Sequence, residues 1–238
     1  MSRSRPGTIP MPEKILDYSG WYGVRCIFRL RDSESGSYEE RITLWRAQNF
    51  DEAHELAKRE ARRYGEECQA DFLEHSEGYW IDREIFEVDA EVFSWLRESD
   101  LEPAEYISTF YSTGREHDHG NRPSVSGGGL EWYGVRCLFW WVDWEDRPFE
   151  ERITLWQAIS ADHAVELAEQ EAREYEHDSG IDYLEFFQVY SCGEGANVRE
   201  GMVAFSLLRD SDLSPDLYIA TFFNTGREGV RPDRDGQS

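Results

Sequence analysis

The chain has 238 residues, with 25 Lys and Arg against 49 Asp and Glu, a formal net charge of −24 and 14% aromatic side chains. Its aromatic content predicts a packed core, because disordered acidic segments are poor in aromatic residues. Its acidity disfavours nonspecific binding to nucleic acids or to anionic lipid surfaces, since both carry negative charge. The sequence also lacks an apolar run of the roughly 20 residues that a membrane span needs, so we expect no membrane partner.

The cysteines do not have the spacing of a structural or metal-binding framework. Cys26 and Cys137 lie in apolar, strand-like runs, whereas Cys68 and Cys192 lie alone, and no Cys-x-x-Cys pair is present. This spacing argues against a disulfide framework and against a zinc site. The first residues lack the apolar stretch of a signal peptide. We therefore expect a reduced, cytoplasmic protein without a metal or a cofactor.

The sequence contains an internal repeat at an offset of about 111 residues. The segment Trp21–Cys26, with the sequence Trp-Tyr-Gly-Val-Arg-Cys, recurs as Trp132–Cys137. The segment Glu39–Trp45, with the sequence Glu-Glu-Arg-Ile-Thr-Leu-Trp, recurs as Glu150–Trp156. Nearly half of about 96 aligned positions are identical. Similarity at this level indicates the duplication of one domain, and a unit of about 100 residues is large enough to hold its own core.

The repeat defines the expected domain organisation. We predict repeat unit 1 over residues 20–116 and repeat unit 2 over residues 131–228. Residues 117–130 are polar and end in a Gly-rich run, which is typical of a flexible linker. Residues 1–19 and 229–238 are rich in Pro, Gly, Ser and charge, and we predict that both are flexible tails.

The first half of each unit has the pattern of two strands followed by a helix. Side chains alternate over residues 21–30 and 39–45, which indicates an antiparallel pair with an apolar face. Asn49, and Ser160 in the second unit, are N-cap candidates for helices that carry an alanine-rich apolar stripe. That stripe is predicted to lie on the sheet.

The second half of each unit has short aromatic and β-branched runs, over residues 72–81 and 84–96 in the first unit, that suit two further strands. Pro103 and Pro215 are placed to open a shorter helix, since the first helical turn tolerates proline. The order ββαββα predicts an α+β class, with a mostly antiparallel sheet in each unit and helices packed on one face. We expect a monomer in which the two units form an intrachain pseudo-dimer.

The other sheet face is predicted to carry a candidate ligand or partner site. Arginine recurs there beside tryptophan, which suits ion pairs with glutamate, stacking on indole, or recognition of a carboxylate or phosphate. Trp140 and Trp144 make this face richer in indole in the second unit. The two faces are predicted to meet through cation–π contacts, with an exposed partner site as the alternative. The candidates are Trp21, Arg25, Arg41 and Trp45 in the first unit and Trp132, Arg136, Trp140, Trp144, Arg152 and Trp156 in the second.

Three motifs occur in a fixed order: Trp-Tyr-x-Val-Arg at Trp21–Arg25, Glu-Glu-Arg-Ile-x-Leu at Glu39–Leu44, and Asp-Glu-Ala-x-x-x-Ala at Asp51–Ala57. In this order the chain resembles a bacterial family of domains of unknown function, each about 100 residues long. The resemblance covers both repeats, and the chain departs from the family in its duplication, which implies that single-copy members associate in pairs. The resemblance implies a cytoplasmic bacterial protein, and it implies no activity, substrate or catalytic residue.

The polar residues that recur in both repeats do not form a catalytic set. No histidine is retained at an aligned position, and no phosphate-binding glycine loop is present. Cys26 and Cys137 share an apolar strand face, which is typical of small buried hydrophobes. We therefore predict a non-enzymatic, acidic protein-interaction module, of an immunity or accessory type, that binds a basic protein. Two alternatives stay open: a ligand-binding or enzymatic domain for an anionic metabolite or nucleotide, using the Arg, Trp and Glu face, and a nucleic-acid mimic.

Overall fold

The structure is a computed structural model that describes residues 19–31, 36–81, 90–117, 129–144, 146–179, 181–193 and 198–229. Most of the two predicted tails and of the predicted linker lies outside these ranges. The part of them that the structure describes is Ser19, His117, Gly129, Leu130 and Gly229.

Both repeats follow the predicted order of two strands, a long helix, two strands and a short helix, and a two-residue strand comes after each. The first repeat contains β1 (Gly20–Leu30), β2 (Ser37–Ala47), α1 (Phe50–Glu67), β3 (Ala70–Ile81), β4 (Glu91–Arg97), α2 (Pro103–Phe110) and β5 (Glu116–His117). The second contains β6 (Glu131–Trp140), β7 (Phe149–Ala158), α3 (Ala161–Ser179), β8 (Asp182–Ser191), β9 (Val203–Asp210), α4 (Pro215–Phe222) and β10 (Glu228–Gly229). All strand pairs within the described residues are antiparallel, and the α+β class is confirmed.

The strands form two sheets that each combine both repeats. Sheet A has the order β3-β1-β2-β9-β5, and sheet B has the order β10-β4-β7-β6-β8. Tyr38 of β2 lies opposite Arg209 of β9, and Phe149 of β7 lies opposite Arg97 of β4. The fold differs from the prediction here, because each repeat gives its fourth strand to the sheet of the other. Domain limits at 20–116 and 131–228, and a pseudo-dimer of the two units, stay predictions.

The outer face of each sheet is covered by a long helix. The alanine stripe of α1, formed by Ala53, Ala57 and Ala61, packs in one buried cluster with Tyr22 and Val24 of β1. The alanines of α3 pack in the same way on β6 of sheet B. The small side chains let the helix approach the sheet closely, and the opposite side of each helix carries most of its charges.

The helices begin where the sequence predicts. Asn49 Oδ1 accepts a hydrogen bond from the Glu52 amide at 2.9 Å, and Ser160 Oγ accepts one from the His163 amide at 3.1 Å. The short helices α2 and α4 begin at Pro103 and Pro215. The hydrogen bonds to Asn49 and Ser160 satisfy amides that the first helical turn leaves without a partner.

The inner faces of the two sheets pack against each other. A Cβ atom on Gly23 of β1 would lie 2.0 Å from the Val92 carbonyl oxygen, and one on Gly134 of β6 would lie 1.8 Å from the Ala204 carbonyl oxygen. Only glycine allows this approach of one sheet to the backbone of the other, which explains the glycine in the repeated Trp-Tyr-Gly-Val-Arg-Cys motif. The buried core between the sheets contains Ile42, Leu44, Val92, Phe93, Trp132, Ile153, Leu155, Ala204 and Phe205.

The short helices also pack on the inner faces, which differs from the predicted arrangement of all helices on one face. The Tyr106 ring of α2 stacks on Phe149 of β7, with 3.8 Å between the centroids. The Tyr218 ring of α4 stacks on Tyr38 of β2, also at 3.8 Å. Each short helix therefore packs against the sheet that carries the first strands of the other repeat.

Candidate functional site

The strand register places the candidate residues of the first repeat on two different faces. Arg41 lies opposite Cys26, whose side chain is in the core below α1. Because opposite residues of an antiparallel pair share a face, Arg41 and Trp45 lie on the outer face, whereas Trp21 and Arg25 lie on the inner face. The prediction that these four residues form one cluster is therefore wrong.

The second repeat divides its candidates in the same way. Arg152 lies opposite Cys137, and Trp156 belongs to the buried cluster that contains the alanines of α3. Trp132 and Arg136 are on the inner face, where Trp132 belongs to the core between the sheets. The physical reason is that both faces of both sheets are buried, so the alternation within one strand does not reveal which face the helix covers.

Arg25 and Arg136 meet at the centre of the molecule with carboxylates from both sheets. Arg25 Nε lies 2.9 Å from Glu40, its Nη1 lies 3.0 Å from Glu77, and its Nη2 contacts Glu151. Arg136 Nη2 contacts Glu40 and lies 2.8 Å from Glu151. We name Arg25, Glu40, Arg136 and Glu151 the inter-sheet ion cluster, because its pairs join sheet A to sheet B.

Aromatic rings cover the guanidinium groups of this cluster. The Arg25 guanidinium carbon lies 5.5 Å from the Phe223 ring centroid, and that of Arg136 lies 5.4 Å from Tyr111. Each of these rings belongs to the other repeat, so cation–π contacts between the repeats are present. They use phenyl and phenol rings rather than the predicted indoles.

The inter-sheet ion cluster is fully buried, and its contacts shift the pKa values of Arg25 and Glu151. Arg25 and Arg136 are 1% and 0% exposed. Burial alone would raise the pKa of Glu151, but the charges of Arg136 and Arg25 lower the pKa to about 2. Burial works against the charge of Arg25, yet Glu151 and Glu40 raise the pKa of the guanidinium above its ordinary value. These charges stabilise one another, and their arrangement indicates a structural role.

A second pair of recurring arginines forms ion pairs with the last short strand of the other repeat. Arg97 Nε lies 2.9 Å from Glu228 of β10, and Arg209 Nε lies 2.7 Å from Glu116 of β5. Arg97 Nη2 donates to the Phe222 carbonyl of α4 at 2.5 Å. Arg209 Nη2 donates to the Phe110 carbonyl of α2 at 2.7 Å. The ion pairs and the hydrogen bonds of Arg97 and Arg209 all join one repeat to the other, so these arginines contribute to the strand exchange.

The space enclosed beside these arginines is too small for an organic ligand. The cavity has a volume of about 10 Å³, which is room for roughly one water molecule. It is lined by Arg25, Glu40, Arg97, Phe110, Tyr111, Glu151, Arg209, Phe222 and Phe223.

The outer-face arginines are paired with the long helices. Arg41 Nη1 donates to both carboxylate oxygens of Glu60 on α1, at 2.9 and 3.0 Å, and its guanidinium lies 3.9 Å from the Tyr64 ring centroid. Arg152 repeats this arrangement with Glu171 of α3, at 2.8 Å to each oxygen. These arginines hold a helix on each sheet, and they are buried rather than presented to a ligand.

Three of the six candidate tryptophans are buried core residues. The Nε1 groups of Trp45 and Trp156 donate to Thr43 and Thr154 at 2.8 Å, two positions earlier in each strand. The three tryptophans Trp45, Trp132 and Trp156 are buried. In the repeated Thr-Leu-Trp sequence, the threonine hydroxyl thus accepts the hydrogen bond that the buried indole must donate. Hydropathy patterns do not reveal this hydrogen bond.

Trp140 and Trp144 do not share a strand face as predicted, because β6 ends at Trp140. The Trp140 ring stacks on Phe149 at 5.9 Å. Trp144 lies in the turn before β7, is 38% exposed and packs on Trp141 with 4.5 Å between the centroids. The sequence-based candidates omit Trp141, although it replaces Leu30 of the first repeat.

The thiols and the acidic groups show no reactive arrangement among the described residues. Burial raises the pKa values of Cys26 and Cys137 to about 12, so both thiols are protonated near neutral pH. Both lie in the buried clusters below the long helices, as predicted for small hydrophobes. The described ranges contain no group of three His, Cys, Asp or Glu residues with the geometry of a metal site.

The comparisons with known proteins give no family for this chain. No family model, no curated protein and no solved structure matches it. The resemblance to a bacterial family of domains of unknown function therefore stays a prediction. Among the helices of the described ranges, none has the length and apolar character that crossing a membrane requires.

Proposed function

We propose that this chain is a non-enzymatic, acidic module that binds a basic protein through the outer face of α3. The observation that supports this proposal is the charge that α3 presents on the side away from sheet B. These side chains surround a shallow surface depression of about 710 Å³. They are Glu166, Glu169, Gln170, Arg173, Glu174, His177 and Asp178.

The corresponding face of α1 has a different charge balance. Where α3 has Glu169 and Glu174, α1 has Lys58 and Arg63 at the aligned positions. Arg62 of α1 also donates two hydrogen bonds, of 3.1 and 2.8 Å, to a carboxylate of β3. The two helices share their alanine stripe and their N-cap geometry, so the negative charge balance of the outer face of α3 is a property of the second repeat rather than of the fold.

An exposed acidic face favours a basic partner for two physical reasons. Carboxylates attract a positively charged surface over about one Debye length, which is roughly 8 Å at physiological ionic strength, and this attraction raises the association rate. The same field repels nucleic acids and anionic lipid surfaces. The net charge of −24 extends this preference over the whole chain.

The alternative function, binding of an anionic metabolite or nucleotide, has less support from the contacts. The recurring arginines that would bind an anion are buried and paired with glutamates. An incoming phosphate would have to displace carboxylates that already form charge-assisted bonds, at a large desolvation cost. A nucleic-acid mimic would use the same exposed carboxylates, with a nucleic-acid-binding protein as the basic partner.

The test compares two matched variants of the full-length chain as bait in extracts of the source cells. The triple variant Glu166→Gln, Glu169→Gln and Glu174→Gln removes three charges from α3. The control variant Glu55→Gln, Glu66→Gln and Glu67→Gln removes three charges from α1. We expect a basic protein to be retained at about 0.15 M salt by the wild type and the control, and to be lost with the α3 variant. Retention by all three baits, or by none, would overturn the proposal.

A further inference from the structure

An exposed indole lies in the turn between β6 and β7. Trp144 is 38% exposed, and its ring packs on Trp141 at an interplanar angle of 53°. Trp141 Nε1 and the Tyr175 hydroxyl of α3 both donate to the same Glu150 oxygen, at 3.0 and 3.1 Å. Through Trp141 and Tyr175, the exposed ring is therefore connected to the last turns of α3.

Hydrogen bonds hold the turn that carries this indole. The Trp141 amide donates to the Pro148 carbonyl at 3.0 Å, and the Trp144 amide donates to the Trp141 carbonyl at 3.1 Å. The Arg147 amide donates to the Trp144 carbonyl at 3.1 Å, and Trp140 Nε1 donates to the Arg147 carbonyl at 3.2 Å. Because the turn is fixed before a partner arrives, little conformational entropy is lost at the indole on binding.

Acidic residues neighbour Trp144 in the chain. Asp143 and Asp146 are exposed in the same turn, and Asp182 is exposed at the start of β8, opposite Trp140. Arg147 is the positively charged residue in the described part of the turn. An indole face attracts a cation, and nearby carboxylates supply the hydrogen-bond acceptors that a guanidinium needs. The chemistry of this patch therefore fits a cation and disfavours an anion.

We propose that Trp144 receives an arginine side chain of the basic partner, with Asp143 and Asp146 as its carboxylate contacts. The proposal rests on the proposed function and adds a contact residue to it. Arginine fits better than lysine, because a planar guanidinium stacks on indole while its edge donates to carboxylates. The first repeat has Leu30 and Ser33 at the positions of Trp141 and Trp144, so the patch belongs to the second repeat alone.

The test uses the ¹⁵N-labelled full chain and three synthetic peptides: ten residues of alternating Arg and Ser, the same peptide with Lys for Arg, and the same peptide with neutral citrulline. We expect the arginine peptide to shift the indole cross-peak that Trp144→Ser removes from the spectrum. The dissociation constant should rise about two- to fivefold in Trp144→Ser, because an exposed cation–π contact contributes about 0.5–1 kcal/mol. The lysine peptide should bind more weakly, and the citrulline peptide should not bind.

The controls separate this inference from the proposed function and from a folding defect. Ser is the residue of the first repeat at this position, and thermal denaturation of Trp144→Ser checks that the variant is folded at the temperature of the binding measurement. The matched pair is Asp143→Asn with Asp146→Asn against Glu55→Gln with Glu66→Gln, of which only the first should weaken peptide binding. Equal affinity of wild type and Trp144→Ser, or a Trp144 shift that depends on chain concentration without peptide, would overturn the inference. Capture of a basic partner by α3 would still stand in either case.

Discussion

Glu151 contacts both arginines of the inter-sheet ion cluster, and its buried charge links the two sheets. Removal of one partner from a buried ion pair leaves an uncompensated charge, which costs about 3–5 kcal/mol. The cost differs from that of an exposed pair because water cannot replace the missing partner. The cluster is therefore a point where single substitutions have large effects.

Glu151→Gln is expected to lower the free energy of unfolding by about 3–5 kcal/mol. The amide keeps the shape of the side chain but leaves the charges of Arg25 and Arg136 partly uncompensated. Urea denaturation followed by tryptophan fluorescence measures the change. The control is Glu185→Gln, an exposed carboxylate of β8, for which we expect less than about 0.5 kcal/mol. A loss below about 1 kcal/mol for Glu151→Gln would contradict the assigned role.

The same carboxylate predicts how stability depends on pH. Its pKa is about 2 in the folded chain, below the ordinary value of 4.5, so the unfolded state binds the proton more readily. Its contribution is fully present above pH 4.5 and is lost as the pH falls toward 2. The free energy of unfolding of the wild type should fall across this window. Glu151→Gln should show a shallower fall, and parallel curves for both proteins would contradict the prediction.

The residue types of the site could be predicted from the sequence, but their partners could not. Arg25 and Arg41 recur in both repeats, which singles them out without structural information. Which face each occupies depends on the register of β1 against β2, and a shift of one residue exchanges the faces. The contact of Arg25 with Glu151 depends further on the packing of two sheets, which no local pattern encodes.

Among the elements, β1 and β6 are constrained by the backbone that crosses them on the inner side. A Cβ atom at Gly134 of β6 would lie 1.8 Å from the Ala204 carbonyl oxygen, and backbone cannot rotate away as a side chain can. A side chain at this position fits only if sheet A and sheet B move apart, which loosens the packing of the core between them. The energetic cost therefore includes lost packing as well as the local clash.

Gly134→Ala is expected to destabilise the chain by about 3 kcal/mol or more. The control is Gly226→Ala, where φ is 81° and no atom lies within 4 Å of the added Cβ. That control should cost about 1–2 kcal/mol, from the left-handed backbone alone. Thermal and urea denaturation of both variants measure the difference. A larger loss for Gly226→Ala than for Gly134→Ala would show that the sheets do not approach as closely as described.

The edge strands β3 and β8 contain β-bulges that limit the addition of further strands. Glu74 of β3 and Glu185 of β8, at aligned positions, have φ values of 55° and 50°. Register shifts occur at the same places against β1 and β6. Such bulges twist an edge strand and interrupt its row of backbone donors and acceptors, which disfavours edge-to-edge association.

Local sequence predicts the elements better than it predicts their positions. Asn49 and Pro103 mark helix starts through interactions within one turn, so these starts are confirmed. The position of α2 on the inner face of sheet B depends on Tyr106 stacking on Phe149, which is in the other repeat. Tyr38 of the first repeat aligns with Phe149 of the second. The sequence near Pro103 does not indicate which of these two rings Tyr106 stacks on.

The whole molecule is held together by the exchange of β4 and β9. The aligned sequences of β4 and β9 make pairing within a repeat and pairing between repeats equivalent at the level of local contacts. Sequence similarity therefore reveals the duplication but not the exchange. The arginines at the ends of these strands, Arg97 and Arg209, fix the exchanged arrangement through Glu228 and Glu116.

Cleavage between the repeats is expected to leave the two halves associated. A protease site inserted within residues 121–126 separates the chain into fragments that still exchange β4 and β9. Size-exclusion chromatography and native mass spectrometry should show one species near 27.9 kDa, apart from the inserted residues. The fragments should separate only in denaturant. Separation in native buffer would contradict the exchange.

The exchange also sets an order of events for a chain that emerges from the ribosome N-terminus first. Strand β2 pairs with residues 203–210, so sheet A lacks β9, and β5 lacks its pairing partner, until most of the chain has been synthesised. Pairing across such a sequence separation closes a long loop, which slows folding. During synthesis the open edge of β2 is exposed to other chains, and a nascent neighbour carrying the same strands is its natural competitor. Exchange of β4 and β9 between two nascent chains is therefore the competing reaction that this topology makes available during synthesis.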